Sequence, residues 1–372
     1  VKIAPLRNEP VIYVMDASRS VGVCQSLITP EQRDDYLASI QTEHARRREQ
    51  HAGKTVKVPQ MSLADARANA PAIDWAAYTP PVPSNPGIQV FDDYSLATLL
   101  EYVDWMPFFN AWEFAGKFPG VLTDPVVGEA ASNLYADARR MLKVLLAEKW
   151  LTVRAVVGLF PANSVGEDIE VYADESRAKV LTRLCHLRQQ KGKPAGQSHE
   201  CLADFVAPRR SGKIDYIGAF AVTAGHGIDE HVQRFERTHD DYSSIMLKAL
   251  ADRFAEAAAE HFHERVRREF WGYAPDEALS NEQLIREQYR GIRPAPGYPA
   301  CPDHTEKAKL WQLLDVEQRV GIKLTESYAM YPTAAVSGWY LAHPASHYLV
   351  LGKIARDQVE DYARRKGMTL AE

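Results

Sequence analysis

A proline-rich segment in the last quarter of the chain, RPAPGYP at Arg293–Pro299, contains the residue types best suited to bind a small ligand. Its prolines fix φ and push the residues before them toward extended geometry, so we predict a rigid, non-helical strap over residues 293–299. Arg293 offers a planar guanidinium that can hold a carboxylate by two hydrogen bonds. Gly297 permits close backbone approach, and Tyr298 adds an aromatic face with a hydroxyl. The strap therefore predicts a binding site for a small molecule that has a carboxylate.

Carboxylates recur at four-residue spacing within a long predicted helix. Asp252, Glu256 and Glu260 fall at i, i+4 and i+8, which places them along one helix face. Taken alone, such a stripe is typical of a solvated helix face, and the residues leave that alternative open. Asp104 lies instead within the aromatic segment VDWMPFF, where an acid is expected to be buried and paired.

Histidine and cysteine patterns indicate no second chemistry. His261 and His263 occur without an H-E-x-x-H motif, so we expect solvated histidines. The four cysteines are widely spaced and form no C-x-x-C pair, which predicts reduced thiols. The lone C-x-x-H pair of Cys301 and His304 lacks the further ligands of a tetrahedral zinc site, so we expect packing of the strap and no metal. No Walker A sequence occurs, and nucleotide hydrolysis is unsupported.

Composition and charge exclude several classes of protein. The chain has 372 residues, of which 46% are hydrophobic and 25% charged, and its formal net charge is -5. These values are typical of a globular protein and not of a polycation that coats nucleic acid. The sequence contains no apolar run of about 18 residues and no signal-peptide core. It therefore predicts a cytoplasmic protein that binds neither membrane nor nucleic acid.

The elements that must position these residues combine long helices with short strands. Apolar residues at three- and four-residue steps predict helices at Ser95–Tyr102, Pro125–Trp150 and Asp241–Trp271. The last helix has a stripe at four-residue intervals that should be buried: Phe254, Ala258, Phe262, Val266 and Phe270. Strands are predicted at Val153–Phe160, Ile169–Tyr172, Ile214–Val222 and Tyr348–Gly352. Because helices and strands do not alternate regularly, the pattern predicts an α+β fold with a mainly antiparallel sheet.

The N-terminal residues have a different pattern. Pro10–Met15 is an apolar run of the kind found in buried strands, and it leads directly into the segment DASRSVG at Asp16–Gly22. We therefore expect residues 1–52 to be the last βα unit of a larger domain, followed by a helix. Residues 53–90 are rich in proline, which predicts an extended linker or wrapping arm.

The strap has the pattern Arg-x-x-x-Gly-Tyr-Pro, which resembles the S-adenosylmethionine-binding signature in the activation domain of cobalamin-dependent methionine synthases. The resemblance extends in order over almost the whole chain from about residue 55 onward. It is carried by VDWMPFF at 103–109, GLFPAN at 158–163, HDDY at 239–242, LTESYAM at 324–330, SGWY at 337–340 and DQVEDYARRKG at 357–367. Such a series in one order is specific to that family.

The resemblance implies a curved α+β activation domain at residues 91–372, preceded by the tail of a flavodoxin-like cobalamin-binding domain. Asp252 and His304 would face that cobalamin domain. Glu260 matches no family contact, so we expect a glutamine in its place to leave ligand binding unchanged. Within this domain, Ala295 and Gly297 would contribute backbone groups alone. The residues implied in S-adenosylmethionine binding are Asp104, Glu256, Arg293, Ala295, Gly297, Tyr298 and Tyr348.

By the same resemblance, the chain takes part in the reductive methylation of cob(II)alamin within a methionine synthase, a methyltransferase of methionine biosynthesis. A flavodoxin-like donor would supply one electron and S-adenosylmethionine the methyl group. No acid or base is needed, so no catalytic residue is assigned. The cobalamin motif Asp-x-His-x-x-Gly does not occur in this sequence. The family pattern places the homocysteine site with its zinc, and the methyltetrahydrofolate site, in other modules, so this chain alone is not expected to make methionine.

Two alternatives from other classes stay open. The first is a module that senses S-adenosylmethionine without chemistry and changes its affinity for a partner domain. The second is an unrelated methyltransferase that acts on a small acceptor. The absence of a glycine-rich strand-to-helix loop counts against that second alternative.

Overall fold

The computed structural model describes the chain over residues 10–14, 17–52 and 60–371. Its contacts divide the chain into two compact units, Val1–Pro59 and Gln60–Glu372. The predicted linker, residues 53–90, spans this division. Its first seven residues lie outside the described part of the chain, and the others belong to the second unit.

The first unit contains two helices among its described residues. Helix α1 (Ala17–Ile28) and helix α2 (Pro30–Ala52) contact each other. The strand predicted at Pro10–Met15 is wrong over residues 10–14, which have no regular secondary structure, and residues 15 and 16 lie outside the described part. A strand needs a neighbouring strand to satisfy its backbone groups, and the described residues of this unit offer only helices.

The second unit is built on a six-stranded antiparallel sheet with the order β4-β3-β2-β5-β8, in which β1 also pairs with β2. Strand β2 is long enough for β1 to pair with its first half and β3 with its second half. A separate two-stranded ribbon consists of β6 and β7. The strands are β1 (Gly87–Tyr94), β2 (Thr152–Val165), β3 (Asp168–Tyr172), β4 (Val180–Cys185), β5 (Asp215–His226), β6 (Lys323–Leu324), β7 (Met330–Tyr331) and β8 (Ala335–Tyr340). The predicted α+β class with a mainly antiparallel sheet is confirmed.

Both faces of the central strands are covered. Along β2, Val153, Ala155 and Val157 enter one hydrophobic cluster, whereas Val156 and Phe160 enter a second cluster on the opposite face. Strands that are buried on both faces have nearly continuous apolar sequences. This burial explains why β2, β3 and β5 were found from the sequence.

Helices pack on the two faces of the sheet. The prediction of helices in the three long periodic segments is confirmed. The predicted helix at Ser95–Tyr102 is α4 followed by one 3-10 turn, and the helix at Asp241–Trp271 is α8 followed by a π-helical turn that ends at Phe270. The helices of the second unit are α3 (Leu63–Ala68), α4 (Leu96–Leu99), α5 (Met106–Asn110), α6 (Gly128–Glu148), α7 (Ile228–Arg237), α8 (Asp241–Arg265), α9 (Asn281–Ile285), α10 (Glu306–Leu314), α11 (Val316–Val320) and α12 (Arg356–Lys366).

Helix α8 fixes the acidic residues of interest relative to the sheet. Its N-cap is Asp240, whose side chain accepts a hydrogen bond from the Ser243 backbone N–H at 3.0 Å. The predicted apolar stripe from Phe254 to Phe270 is buried, with each side chain 4% exposed or less. The helix contacts β5 and β8. Burial of one face therefore determines where the carboxylates of the same helix can point.

The strand predicted at Tyr348–Gly352 is wrong, because this segment has no regular secondary structure. Its side chains alternate as in a strand: Leu349 and Leu351 are buried, and Val350 is 67% exposed. Among the described residues no strand pairs with this segment. Its Leu351 backbone N–H donates instead to the Pro299 carbonyl at 3.1 Å, so the segment is held against the strap.

Five strands were not predicted: the two-residue strands β6 and β7, and three longer strands that were missed for identifiable reasons. Strand β1 contains two adjacent aspartates and a register shift, and β4 is exposed over its first four residues in whole or in part. Strand β8 has six residues with a serine and a glycine at its centre. Each of these features removes the apolar signal from which buried strands are predicted.

Candidate functional site

The strap is a non-helical segment anchored to its surroundings by backbone hydrogen bonds. The Pro294 carbonyl accepts from the Trp339 N–H of β8 at 2.9 Å. The Arg293 N–H donates to the Tyr348 hydroxyl at 3.0 Å. These bonds tie the start of the strap to the sheet on one side and to the segment after β8 on the other, so the side chain of Arg293 leaves a fixed backbone.

Gly297 occupies a position in the strap that only glycine fits. Its φ is +97°, and a Cβ added there would lie 2.4 Å from Cε1 of His304. Its backbone N–H donates to the Cys301 carbonyl at 2.7 Å. Nδ1 of the His304 ring also lies 3.3 Å from Lys307 Nζ. The glycine therefore allows an exposed histidine to pack directly against the strap.

Two adjoining cavities open beside the strap, and together they are called the groove here. The first has a volume of about 350 Å³ and the second about 330 Å³. Arg293, Glu256 and Glu287 line both cavities, so charged groups of both signs meet at the centre of the groove. Among the other lining residues are Ala295, Tyr298 and Tyr348 in the first cavity, and Tyr102, Asp104, Arg253 and Glu260 in the second.

The structure brings together six of the seven residues that the resemblance implied as ligand contacts. The exception is Gly297, which shapes the strap without lining either cavity. Asp252 and His304, the two residues expected to face a cobalamin domain, are both exposed and line neither cavity. Asp252 lies one helical turn before Glu256 on α8.

The guanidinium of Arg293 is only partly occupied by protein groups. Its Nη2 forms an ion pair with Glu260 Oε2 at 2.6 Å. Its Nη1 donates to the Tyr289 hydroxyl at 2.9 Å and lies 3.2 Å from Nδ1 of His263. A guanidinium has five N–H groups, and these contacts account for three of them. The other two N–H groups are available to a ligand carboxylate.

The carboxylate stripe of α8 is not uniformly solvated, so that alternative is wrong for its last member. Glu256 is exposed, whereas Glu260 is buried, with 7% of its surface accessible. Burial raises the pKa of Glu260, and the Arg293 guanidinium opposes that rise. Glu260 is therefore a buried counter-ion of the strap arginine.

The expectation of solvated histidines is also wrong. His261 is 8% exposed and its Nε2 lies 2.7 Å from the Tyr94 hydroxyl. His263 is fully buried and stacks on the Tyr340 ring at 5.2 Å. His261 packs against Tyr94 and Tyr102, and His263 packs against Tyr289 and Tyr340, which the charge-rich local sequence does not indicate. Burial lowers the pKa of each histidine, so both rings are neutral at physiological pH.

Asp104 is half-buried at the far end of the groove. Its Oδ1 accepts from the Met106 backbone N–H at 3.0 Å, which places the carboxylate at the start of α5. The Asp104 carboxylate was expected to be paired, and its partner is a backbone N–H and not a cation. This bond orients the carboxylate group that lines the second cavity.

Sequence reasoning missed Glu287, which lines the groove, and Tyr289, which contacts the Arg293 guanidinium. Glu287 lines both cavities and has a positive φ of 55°, which is uncommon for glutamate. Tyr289 belongs to no motif in the sequence, yet its hydroxyl accepts a hydrogen bond from Arg293. The only local signal was the S-x-x-Q capping box that starts α9 at Ser280, which predicts a helix but no ligand contact.

The charges that line the groove favour a cationic ligand with one carboxylate. Four carboxylates and two guanidinium groups line the two cavities, which gives a formal charge of -2. The carboxylates are Asp104, Glu256, Glu260 and Glu287, and the guanidinium groups are Arg253 and Arg293.

Other chemistries lack support in the described residues. No group of three or more His, Cys, Asp or Glu side chains there is arranged to hold a metal ion. Burial raises the pKa of the thiols of Cys185, Cys201 and Cys301, which keeps them protonated. Over the same ranges, no helix is long and apolar enough to cross a lipid bilayer.

Comparison with known proteins identifies the class that this fold and groove define. Residues 95–367 match the family described as vitamin B12 dependent methionine synthase, activation domain. A crystal structure of the MetH reactivation domain bound to AdoHcy is 60% identical in sequence, with a TM-score of 0.82. That match covers 84% of this chain and 96% of the solved chain. The α+β body with its strap is thus an activation domain. The chain belongs to the vitamin B12-dependent methionine synthase activation-domain family.

Proposed function

We propose that the groove binds S-adenosylmethionine, with Arg293 on the ligand carboxylate and Glu256 and Glu287 near its cationic groups. The ligand has one carboxylate, one ammonium and one sulfonium, so its charge is about +1 at neutral pH. The observation that carries the proposal is the meeting of these three side chains at the junction of both cavities. The AdoHcy bound to the similar reactivation domain supports the same ligand class.

The remaining groove residues suit the adenosine part of this ligand. Tyr298 and Tyr348 offer aromatic faces in the first cavity, and Ala295 leaves backbone groups accessible. Asp104 in the second cavity can accept a hydrogen bond from a ribose hydroxyl or an amino group. A pocket for S-adenosylmethionine needs this combination of apolar surface and directed polar groups.

We propose further that the mouth of the first cavity meets a cobalamin-binding domain. Tyr298 is 60% exposed and Val350 is 67% exposed beside the cavity, which leaves apolar surface that a planar macrocycle can cover. Asp252 and His304 are exposed outside the groove, where a docked domain can reach them. The chain's residues would hold the ligand with its methyl group toward that domain and exclude water from the contact.

In this function the domain returns oxidised, inactive cobalamin to its methylated form within a methyltransferase, the methionine synthase. Bound S-adenosylmethionine supplies a methyl cation equivalent, and one electron from a flavodoxin-like donor completes the conversion of cob(II)alamin to methylcobalamin with release of S-adenosylhomocysteine. The protein side chains act by binding and orientation, since no proton is transferred. The reaction would take place in the cytoplasm.

The proposal is tested by label transfer. The chain is mixed with cob(II)alamin, a reductant and methyl-labelled S-adenosylmethionine, with and without the complete cobalamin-binding domain. Labelled methylcobalamin should form efficiently only when that domain is present. Tight ligand binding without any label transfer in the complete mixture would favour the sensing module, and efficient transfer by the chain alone would contradict the proposed division of labour.

A further inference from the structure

A layer of buried polar side chains surrounds the guanidinium of the strap arginine. Glu260, His263 and Tyr289 all contact the Arg293 guanidinium, and Glu260 and His263 come from consecutive turns of α8. None of these three residues was assigned a role by the sequence. Their contacts therefore raise the question of what this layer does for the arginine.

The hydrogen-bond chemistry of this layer has one consistent arrangement. Arginine donates and never accepts, so Nδ1 of His263 must accept from Arg293 Nη1. The proton of the neutral imidazole is then on Nε2, which is buried without a hydrogen-bond partner. The Tyr289 hydroxyl likewise accepts from Nη1. Both N–H groups of Nη1 are thereby used, and the plane of the guanidinium is fixed on that side.

Glu260 holds the other side of the guanidinium through a single oxygen. Its Oε2 takes one N–H of Nη2, while its Oε1 is buried without a hydrogen-bond partner. A two-oxygen contact would have occupied two N–H groups, as a bidentate arginine–carboxylate pair does. The one-oxygen contact orients the guanidinium and still leaves two N–H groups for a second carboxylate.

We propose that Glu260 is the positioning residue of the carboxylate clamp: it fixes the Arg293 guanidinium with one oxygen so that the unused N–H groups present themselves to the ligand. This role rests on the proposed binding of S-adenosylmethionine. Binding groups are effective when a second layer locks their geometry before the ligand arrives. Glu260 thereby sets selectivity for ligands that have a carboxylate, by acting through Arg293.

The test compares two ligands that differ only in the carboxylate: S-adenosylmethionine and its decarboxylated analogue. Dissociation constants are measured by calorimetry for the unmodified chain, Glu260→Ala and Glu260→Gln. Glu260→Ala should weaken binding of S-adenosylmethionine about tenfold relative to Glu260→Gln, the scale of one charge-assisted hydrogen bond, whereas the analogue should bind both variants equally because both lack the charge. Glu260→Gln should restore affinity to within about twofold, because the amide oxygen can accept the same N–H.

The loss of charge in Glu260→Gln should have a small net effect on the affinity for S-adenosylmethionine, because this ligand has charges of both signs. Loss of one negative charge strengthens attraction to the ligand carboxylate and weakens attraction to its ammonium and sulfonium. These effects oppose each other, so the glutamine variant reports mainly on geometry. A matched control is Glu167→Ala, which removes another buried carboxylate paired with an arginine outside the groove. It should lower stability and change neither dissociation constant.

The outcomes separate this inference from the proposed function. If the unmodified chain binds neither ligand, or binds both equally, the proposed carboxylate clamp is wrong. If the unmodified chain prefers S-adenosylmethionine and Glu260→Ala, compared with Glu260→Gln, weakens binding of both ligands equally, or of neither, the positioning role is wrong. Should Glu260→Ala fail to fold, Tyr289→Phe removes another bond to the same guanidinium and keeps the ring. That variant should show a smaller loss confined to the ligand with the carboxylate, and an equal loss for both ligands would again overturn the role.

Discussion

Two arginines of the second unit, Arg188 and Arg293, differ in how completely the protein satisfies them. The Arg188 side chain is 4% exposed and donates from Nε to Glu167 and from both Nη atoms to Asp204, while Nη1 also donates to a backbone carbonyl. Two carboxylates thus face one guanidinium. The Arg293 side chain is 20% exposed and has one carboxylate partner, bound through one oxygen.

The difference separates an arginine that holds the fold from one that is available to a ligand. A guanidinium that is enclosed by two carboxylates has its charge more than balanced by the protein. A guanidinium with one monodentate partner keeps directed donors for an incoming carboxylate. The exposed fractions of the two side chains, 4% and 20%, differ in degree, whereas the number of carboxylates that contact each guanidinium, two against one, separates the two roles.

The largest effect is expected from Arg188→Met, which nearly preserves volume but removes the charge. It leaves half-buried Asp204 without its arginine partner and buried Glu167 with Arg67 alone, and loss of one partner of such a pair costs about 3–5 kcal/mol of unfolding free energy. Urea denaturation measures the change. The affinity of the folded variant for S-adenosylmethionine should stay as it was. A loss of unfolding free energy below about 1 kcal/mol would show that the fold does not depend on the pairing of Arg188 with these carboxylates.

Arg293→Ala should produce the opposite pattern, with its main effect on the ligand. Loss of a charged hydrogen-bond donor predicts about 1.5–3 kcal/mol weaker binding of S-adenosylmethionine. The fold should persist with a modest loss of stability, because burial raises the pKa of Glu260 and the unpaired carboxyl can take up a proton. Calorimetric titration and circular dichroism test both parts. An unchanged dissociation constant would remove Arg293 from the site.

Glu256→Gln should have a smaller effect on binding, because this carboxylate is exposed and water screens its attraction to a cation. We expect a loss of about 1 kcal/mol in the binding of S-adenosylmethionine. The matched control is Glu282→Gln on α9, an exposed glutamate paired with Arg286. Equal effects of the two substitutions would mean that the groove acts through its general field and not through a directed contact.

A last effect of about the same size, on stability and not on binding, concerns Asp303, which forms an ion pair with Lys366 just beyond the strap. Burial opposes its ionisation, but hydrogen bonds from Lys366, Thr305 and Tyr362 outweigh this and lower its pKa to about 2. A lowered folded-state pKa stabilises the fold above the ordinary aspartate value of 3.8, and this contribution is lost as pH falls from about 4 to 2. Asp303→Asn should therefore cost about 1 kcal/mol at pH 7 after allowance for solvent screening. Urea unfolding at pH 7 and pH 2.5 measures it, and an equal cost at both values would contradict the assignment.

The fold was predictable where burial leaves a periodic signal. Strands β2 and β5 and helices α6 and α8 are covered by neighbouring elements, so their apolar residues follow the period of the structure. The same signal failed at Tyr348–Gly352, where alternation arises from packing against the strap and no strand pairs with it. Periodicity records which side chains are buried, and it does not record whether the backbone has a partner.

The candidate site was predictable as far as the strap motif and the resemblance reached. Arg293, Tyr298 and Tyr348 lie together at one cavity as that resemblance implied. Glu287 and the pairing of Glu260 could not be predicted, because they depend on where distant segments meet in space. A carboxylate stripe on one helix face gives no indication of which member the neighbouring chain will cover.

That stripe has a consequence for how one sequence pattern encodes different electrostatic strengths. Four residues advance a helix by about 6 Å, so Asp252 and Glu260 are separated by only about 12 Å along α8. Over this length the surroundings change from open solvent to the protein interior. The effective dielectric constant therefore falls along α8. A carboxylate attracts a cation weakly at the exposed end of the helix and strongly at the buried end. Shifting the acids by one turn along this helix would retune the attraction for a cation without any change in net charge.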